Sequence, residues 1–176
     1  MLVKYDIAIT DVVAFSRHVM NSPTSKKNKR RWIIVVIFLI TGSLFIPLPE
    51  EIPRSMVVEL TVAWSALFLL ALFVAGPAAS DRYVRGVYKT GANRGTIGEH
   101  EIEIDEDGLV ERTEVSETRQ SWRGVERIDE TETHAFFFVS PLMAYIIPKQ
   151  SIITGDPVTF IATAKTFWRS ANFGNG

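Results

Sequence analysis

The stretch Trp32-Ile-Ile-Val-Val-Ile-Phe-Leu-Ile-Thr-Gly-Ser-Leu-Phe-Ile46 contains no charged residue. A second apolar run, Met56–Ala75, follows after a short connection that contains three prolines. A helix rises about 1.5 Å per residue, so helices of these lengths reach roughly 22 and 30 Å, against a hydrocarbon core of about 30 Å. The two runs therefore predict a transmembrane helical hairpin.

Prolines mark the ends of the two predicted helices. Pro47 and Pro49 lack amide donors and so end the first helix, whereas Pro53 suits the first turn of the second. Glu59 lies one turn inside the second helix, near the predicted tip of the hairpin. Because a carboxylate inside a bilayer is costly, Glu59 is a candidate functional residue. It either reaches the interface or pairs the helices, and the alternative is that it couples a proton or an ion.

Basic residues flank both apolar runs, and Arg54 is the only basic residue between them. By the positive-inside rule, this distribution predicts a two-pass protein of the bacterial inner (plasma) membrane with cytoplasmic N- and C-termini. The net charge of −1 arises because these basic flanks are cancelled by an acidic stretch, Glu99–Glu132. The net charge by itself therefore indicates no partner. The residues expected at the membrane interface are Lys26, Lys27, Lys29, Arg30, Arg31, Trp32, Arg82, Tyr83 and Arg85.

The first residues have the pattern of a strand followed by a helix. Residues 2–9 alternate, with Val3, Tyr5, Ile7 and Ile9 on one apolar face. Helical spacing follows, and Ser22-Pro23 ends it. A lone strand is not stable, so we expect this strand to join a sheet formed by the C-terminal half.

The C-terminal half has the pattern of short antiparallel strands and one helix. Glu106-Asp-Gly108 indicates a hairpin turn in which glycine tolerates a positive φ, and Asp156-Pro157 indicates the start of an amphipathic helix. This order predicts a small sandwich or barrel like a pleckstrin-homology domain. The predicted fold class is an α+β membrane protein with the domains 1–31 (strand, helix and basic run), 32–79 (transmembrane hairpin) and 80–176 (cytoplasmic β domain).

Four segments of the C-terminal half resemble the bacterial YcxB-like family. Trp122 and the element Ile147-Pro148-Lys149 are the strongest local matches, and Trp122, Pro148 and Lys149 join the candidate functional residues. The family usually has a second basic residue after this lysine, where the present chain has Gln150. The resemblance implies a pleckstrin-homology-like fold and an integral membrane location, and it brings no catalytic residue. The four segments are Glu106-Asp-Gly-Leu-Val110, Trp122-Arg-Gly-Val125, Phe136-Phe-Phe-Val139 and Ala144-Tyr-Ile-Ile-Pro-Lys149.

The residue types that carry catalysis or bind metals are sparse. With no cysteine there is no disulfide, thiol nucleophile or cysteine-ligated metal, and the histidines His18, His100 and His134 lack metal-ligand spacing. The acidic residues of Glu99–Asp107 are expected to form the solvated face of a strand, with a cation site as the alternative. We therefore predict no enzyme activity, catalytic residue, cofactor, metal or nucleic-acid partner.

These observations predict a non-enzymatic binding or scaffolding module attached to the lipid bilayer. Small sandwiches offer edge strands and loops to other chains, so we expect contacts at an exposed edge strand and at the loops Glu106–Gly108 and Pro141–Met143. The expected partner is another protein or a second copy of this chain. The alternative is an accessory subunit or small oligomer of a membrane transporter, paired through small helix residues.

Overall fold

The computed structural model describes residues 1–22, 33–34, 37, 41, 53–89 and 95–174. The described chain divides into two compact units, one of Met1–Ser16 with Val84–Gly176 and one of Arg17–Tyr83. The helices are α1 (Ile9–Met20), α2 (Arg54–Lys89) and α3 (Pro157–Phe173). The strands are β1 (Leu2–Ile7), β2 (Gly98–Ile104), β3 (Gly108–Thr113), β4 (Glu117–Ser121), β5 (Arg127–Glu130), β6 (His134–Ser140), β7 (Met143–Pro148) and β8 (Ile152–Thr154).

The strands form two antiparallel sheets. The first has five strands in the order β4-β3-β2-β1-β8, and the second has three in the order β5-β6-β7. Strand β1 pairs with β2, where Val3 lies opposite Ile102, and on its other side with β8. The expectation that the N-terminal strand joins the C-terminal sheet is therefore confirmed, and the fold of this unit is α+β with antiparallel strands.

The alternating residues of β1 decide which face of the five-stranded sheet is buried. Val3, Tyr5 and Ile7 are buried, whereas Lys4 and Asp6 are exposed on what we call the outer face. The inner face packs against the second sheet, since β1 contacts β7. Burying a large apolar side chain contributes roughly 1.5–3 kcal/mol. The largest fully buried side chains of this core are Trp122, Tyr5, Phe136, Phe137, Phe138 and Phe160.

Helix α3 begins where the sequence predicts. The Asp156 carboxylate accepts the backbone N–H groups of Val158 and Thr159, and Pro157 takes the first helical position. Hydrogen bonds from the hydroxyl and backbone N–H of Thr159 lower the pKa of Asp156. The buried face of the helix, which includes Phe160, then closes the core of the C-terminal unit.

Two glycines are required for different physical reasons. Gly155 has a φ of +98°, and a Cβ there would lie 2.8 Å from the carbonyl oxygen of Leu2. Gly108 does not have the positive φ expected of it. A Cβ at Gly108 would instead lie 2.1 Å from the carbonyl oxygen of Gln120, so close approach of β4 requires this glycine.

The structure contradicts the predicted transmembrane hairpin. Of the first predicted span, residues 32–46, only 33, 34, 37 and 41 are among the described residues. Within the described part of the chain, no helix is at once long enough and apolar enough to span a bilayer. This finding contradicts the predicted membrane-protein fold class and the predicted two-pass inner-membrane location with cytoplasmic termini.

The correction has a physical reason in helix α2. The sequence prediction treats the second apolar run as a separate helix of about 20 residues, the length that spans a bilayer. The run Met56–Ala75 is not a separate apolar segment but the first part of a 36-residue helix that begins at Arg54 and ends at Lys89. Charged residues therefore belong to the same helix, and Asp81 forms an ion pair with Arg17 at the end of α1.

Helix α2 carries several of the residues singled out from the sequence. Glu59 is exposed, and so are Arg82, Tyr83 and Arg85, whose proposed interface role stays a prediction. Residues 26–32, which include the other proposed interface residues, lie outside the described residues. The large apolar side chains that the described part of α2 exposes are Met56, Val58, Leu60, Val62, Trp64, Leu67, Phe68, Leu70 and Val87.

Candidate polypeptide-binding site

Trp122 is a core residue. Its side chain is buried, its ring packs against Phe137 and Phe167, and its Nε1 donates a hydrogen bond of 2.8 Å to the carbonyl oxygen of Asp105. The indole therefore fixes the turn between β2 and β3 from inside. It is not placed to act as a surface platform for a ligand.

Pro148 and Lys149 lie against the turn between β5 and β6. Pro148 is buried opposite His134, at the end of β7. The Nζ of Lys149 donates to Glu130 Oε1 at 2.6 Å and to the carbonyl oxygen of Thr131 at 2.7 Å. Lys165 of α3 bonds to the same carboxylate, and hydrogen bonds from the two lysines lower the pKa of Glu130. Lys149 thus has a structural role in joining two strands and a helix.

Sequence reasoning missed the role of His134. Its Nε2 lies 3.1 Å from Asp11 Oδ1, its Nδ1 lies 2.8 Å from Thr133 Oγ1, and its ring stacks on Phe136. This pair ties α1 to the turn between β5 and β6. Asp11 is 123 residues away, so no local pattern could have indicated the contact.

A second group of polar side chains lies on the inner face of the five-stranded sheet. His100 Nδ1 is 3.0 Å from Glu111 Oε1, and the His100 ring stacks on Tyr5 at 5.7 Å. Burial raises the pKa of Tyr5 well above its usual value. Among the described residues, no group of three or more His, Asp and Glu side chains is arranged to hold a metal.

Strand β4 forms one edge of the five-stranded sheet and pairs with β3 alone among the described strands. The backbone N–H of Thr113 donates to the carbonyl of Ser116, and the N–H of Trp122 donates to the carbonyl of Asp107. In an antiparallel pair, hydrogen-bonded and non-hydrogen-bonded positions alternate. The N–H and C=O groups that β4 turns away from β3 are therefore those of Glu117, Arg119 and Ser121.

Both loops expected to make contacts lie near this edge. The turn Glu106–Gly108 is beside the end of β4, where Trp122 bonds to Asp107. Burial raises the pKa of Tyr145 in β7, whereas the nearby Thr118 side chain of β4 lowers it, so β7 begins near β4. Strand β7 also contacts β1, and β1 contacts the turn that follows β7. The tip Pro141–Met143 precedes β7 and therefore lies on the β4 side. We call the backbone of β4 together with these two loops the β4 rim.

The β4 rim combines exposed apolar and charged side chains. Leu142 is 72% exposed and Met143 is 64% exposed at the tip, and Val115 is exposed in the turn that leads into β4. On the outer face, Glu117 bonds to Arg112, whereas Arg119 is exposed and forms no ion pair with any described residue. The rim thus offers backbone hydrogen-bonding groups, an apolar tip and one free cation among the described side chains.

The rest of the outer face is occupied by internal ion pairs. Glu101 bonds to Lys4 at 2.7 Å and to Arg112 at 3.3 Å, and Arg112 also bonds to Glu103 at 3.0 Å. The hydrogen bond from Lys4 lowers the pKa of Glu101. A cleft of about 500 Å³ is lined by Lys4, Glu101 and Arg112 together with His100. Because lysine and arginine already balance Glu101 and Glu103, this arrangement favours the solvated face over a cation site.

The fold and this site define a small α+β domain with an unpaired sheet edge among its described strands. Within that class, residues 104–164 match the family model described as YcxB-like protein, which confirms the predicted resemblance. The matched region contains the whole of β4 and both loops of the β4 rim. Neither the curated proteins nor the solved structures provide a match. The pleckstrin-homology-like fold stays a prediction.

Proposed function

We propose that this protein is a non-enzymatic binding module that takes a polypeptide segment as an additional strand along β4. The observation that carries the proposal is the outward direction of the backbone groups of Glu117, Arg119 and Ser121. An extended chain placed there gains main-chain hydrogen bonds, and pockets for its alternate side chains provide specificity.

The side chains around β4 support a selective partner over non-specific pairing. Charged residues on an edge strand discourage indiscriminate sheet extension. A segment that binds here needs an acidic group complementary to Arg119 on the outer face. The exposed side chains of Leu142 and Met143 offer an additional apolar contact.

The test compares two substitutions at one position. Arg119→Pro removes an outward N–H without breaking a bond to β3, whereas Arg119→Ala keeps that N–H and serves as the matched control. A photo-crosslinking side chain at Ser121 of the full chain reports the neighbour of β4 in cells. We expect Arg119→Pro to lower the adduct yield at least about tenfold, because a lost bond and a ring clash together exceed about 1.4 kcal/mol.

The control measurements fix the interpretation. Circular dichroism should show the same strand content in both variants, because the proline occupies the unbonded side of β4. Equal adduct yields from Arg119→Pro and Arg119→Ala would show that no strand adds here. An identical adduct from a crosslinker at Glu132, which is exposed in the turn between β5 and β6, would also show that no strand adds along β4.

A further inference from the structure

We infer that the strand added along β4 is β4 of a second copy of this chain, antiparallel and centred on Thr118. The inference rests on the proposed function and names its partner. A twofold axis midway between the Thr118 residues of the two copies, perpendicular to the sheet, places Glu117 of one copy opposite Arg119 of the other, and the same pair recurs on the far side of the axis.

Hydrogen-bond geometry restricts the possible registers. Residues whose backbone groups point outward must face residues of the same kind in the second copy. The register is therefore centred on one residue, which faces its own copy, and not on the bond between two successive residues. A register centred on Arg119 would place the arginines of the two copies opposite each other. A register centred on Glu117 would do the same with the two glutamates. Opposite charges across a strand pair contribute about 0.2–1 kcal/mol each, and like charges destabilise. The Thr118 register gives two favourable pairs and no like-charge pair.

The charged groups needed for this register are available. Arg119 is exposed and makes no ion pair with the described residues. The side chain of Glu117 is 60% exposed, and its contact with Arg112 joins Oε2 to Nε at 3.1 Å, which leaves Oε1 accessible. In the assembled pair, each Glu117 therefore lies between Arg112 of its own chain and Arg119 of the second copy.

The apolar residues of the β4 rim supply a second contribution. Leu142 and Met143 are exposed at the tip that precedes β7, and Tyr145 of β7 lies near Thr118 of β4. A pair of five-residue strands with these side chains is a small interface, and stable interfaces usually bury more than about 1,000 Å². The dimer is therefore expected to dissociate on dilution.

Charge exchange between two copies tests the register. Sedimentation of the full chain over a concentration series should show a dimer that dissociates on dilution. Glu117→Arg alone creates two arginine pairs, and Arg119→Glu alone creates two glutamate pairs, so each should raise the dissociation constant at least about tenfold, equivalent to about 1.4 kcal/mol. An equimolar mixture of the two variants restores both opposite-charge pairs and should restore the dimer, as should the double variant Glu117→Arg/Arg119→Glu.

Other outcomes would overturn the inference, and they separate it from the proposed function. A wild-type chain that stays monomeric, while Arg119→Pro still removes a Ser121 adduct with a different protein, leaves the proposed function standing and refutes the second copy. A dimer that persists in both single charge variants places association elsewhere, for example at the exposed apolar side chains of α2. A mixture of the variants that remains monomeric refutes the Thr118 register.

Discussion

The hydroxyl of Tyr5 is the only fully buried side-chain polar atom, among the described residues, that has no hydrogen-bond partner. The ring is well placed, because it stacks on His100 within the core. The alternation of β1 predicts this burial, but it does not show whether the hydroxyl finds a partner. A buried polar group without a partner costs about 1–3 kcal/mol.

Tyr5→Phe is therefore expected to stabilise the protein by about 1 kcal/mol, because it keeps the ring and removes the unsatisfied hydroxyl. Urea unfolding followed by tryptophan fluorescence measures the change. Tyr145→Phe is the matched control and should give no such gain, because Tyr145 is only partly buried and its hydroxyl is not a buried atom without a partner. A loss of stability in Tyr5→Phe would show that the hydroxyl has a partner.

At the scale of elements, Glu130 joins β5 to the turn after β7 and to α3. It bonds to Lys149 and Lys165, and these two bonds hold its pKa below the usual value of 4.5. A carboxylate with a lowered pKa in the folded state stabilises the fold above its unfolded pKa, and the stabilisation is lost as the pH falls through the folded pKa. The contribution is therefore complete at neutral pH and declines below about pH 4.5.

Glu130→Gln should consequently lower the free energy of unfolding at pH 7 by about 0.5–1 kcal/mol, a range suited to a partly exposed ion pair. The difference from the wild type should shrink as the pH falls below about 4.5. Chemical unfolding at several pH values measures it, with the exposed Glu132→Gln as control. A difference that is the same at all pH values would refute the electrostatic explanation.

At the scale of the whole molecule, the five-stranded sheet depends on a strand from the far end of the chain. Strand β1 lies between β2 and β8, and the terminal amine of Met1 also bonds to the carbonyl of Ile104. The region that matches the family, 104–164, contains neither β1 nor most of β2. A fragment without the N-terminus would therefore leave two edges open in the middle of its sheet.

A fragment of Val84–Gly176 should accordingly fail to fold on its own, because β2 and β8 lose their common neighbour. Adding a peptide of Met1–Ser16 should restore dispersed amide resonances in a nuclear magnetic resonance spectrum. The same peptide with Val3→Asp and Tyr5→Asp is the control, since it cannot pack against the core. A fragment that gives a folded spectrum without any peptide would refute this dependence.

Local patterns in the sequence were sufficient wherever a structure depends on near neighbours. The alternation of residues 2–9, the turn at Glu106–Gly108 and the cap at Asp156 predicted β1, the β2–β3 hairpin and the start of α3. The apolar runs, by contrast, were misread as two spans. Apolar composition by itself does not determine where a helix begins and ends, and the second run proved to be part of α2.

The sequence by itself therefore determined strands, turns, caps and the family resemblance, because these depend on residues a few positions apart. Only the tertiary structure decided that His134 meets Asp11, that Lys149 meets Glu130, and that the Trp122 ring contacts Phe167 of α3. These contacts depend on how sheets and helices pack, since packing brings together residues that are tens of positions apart and share no local pattern.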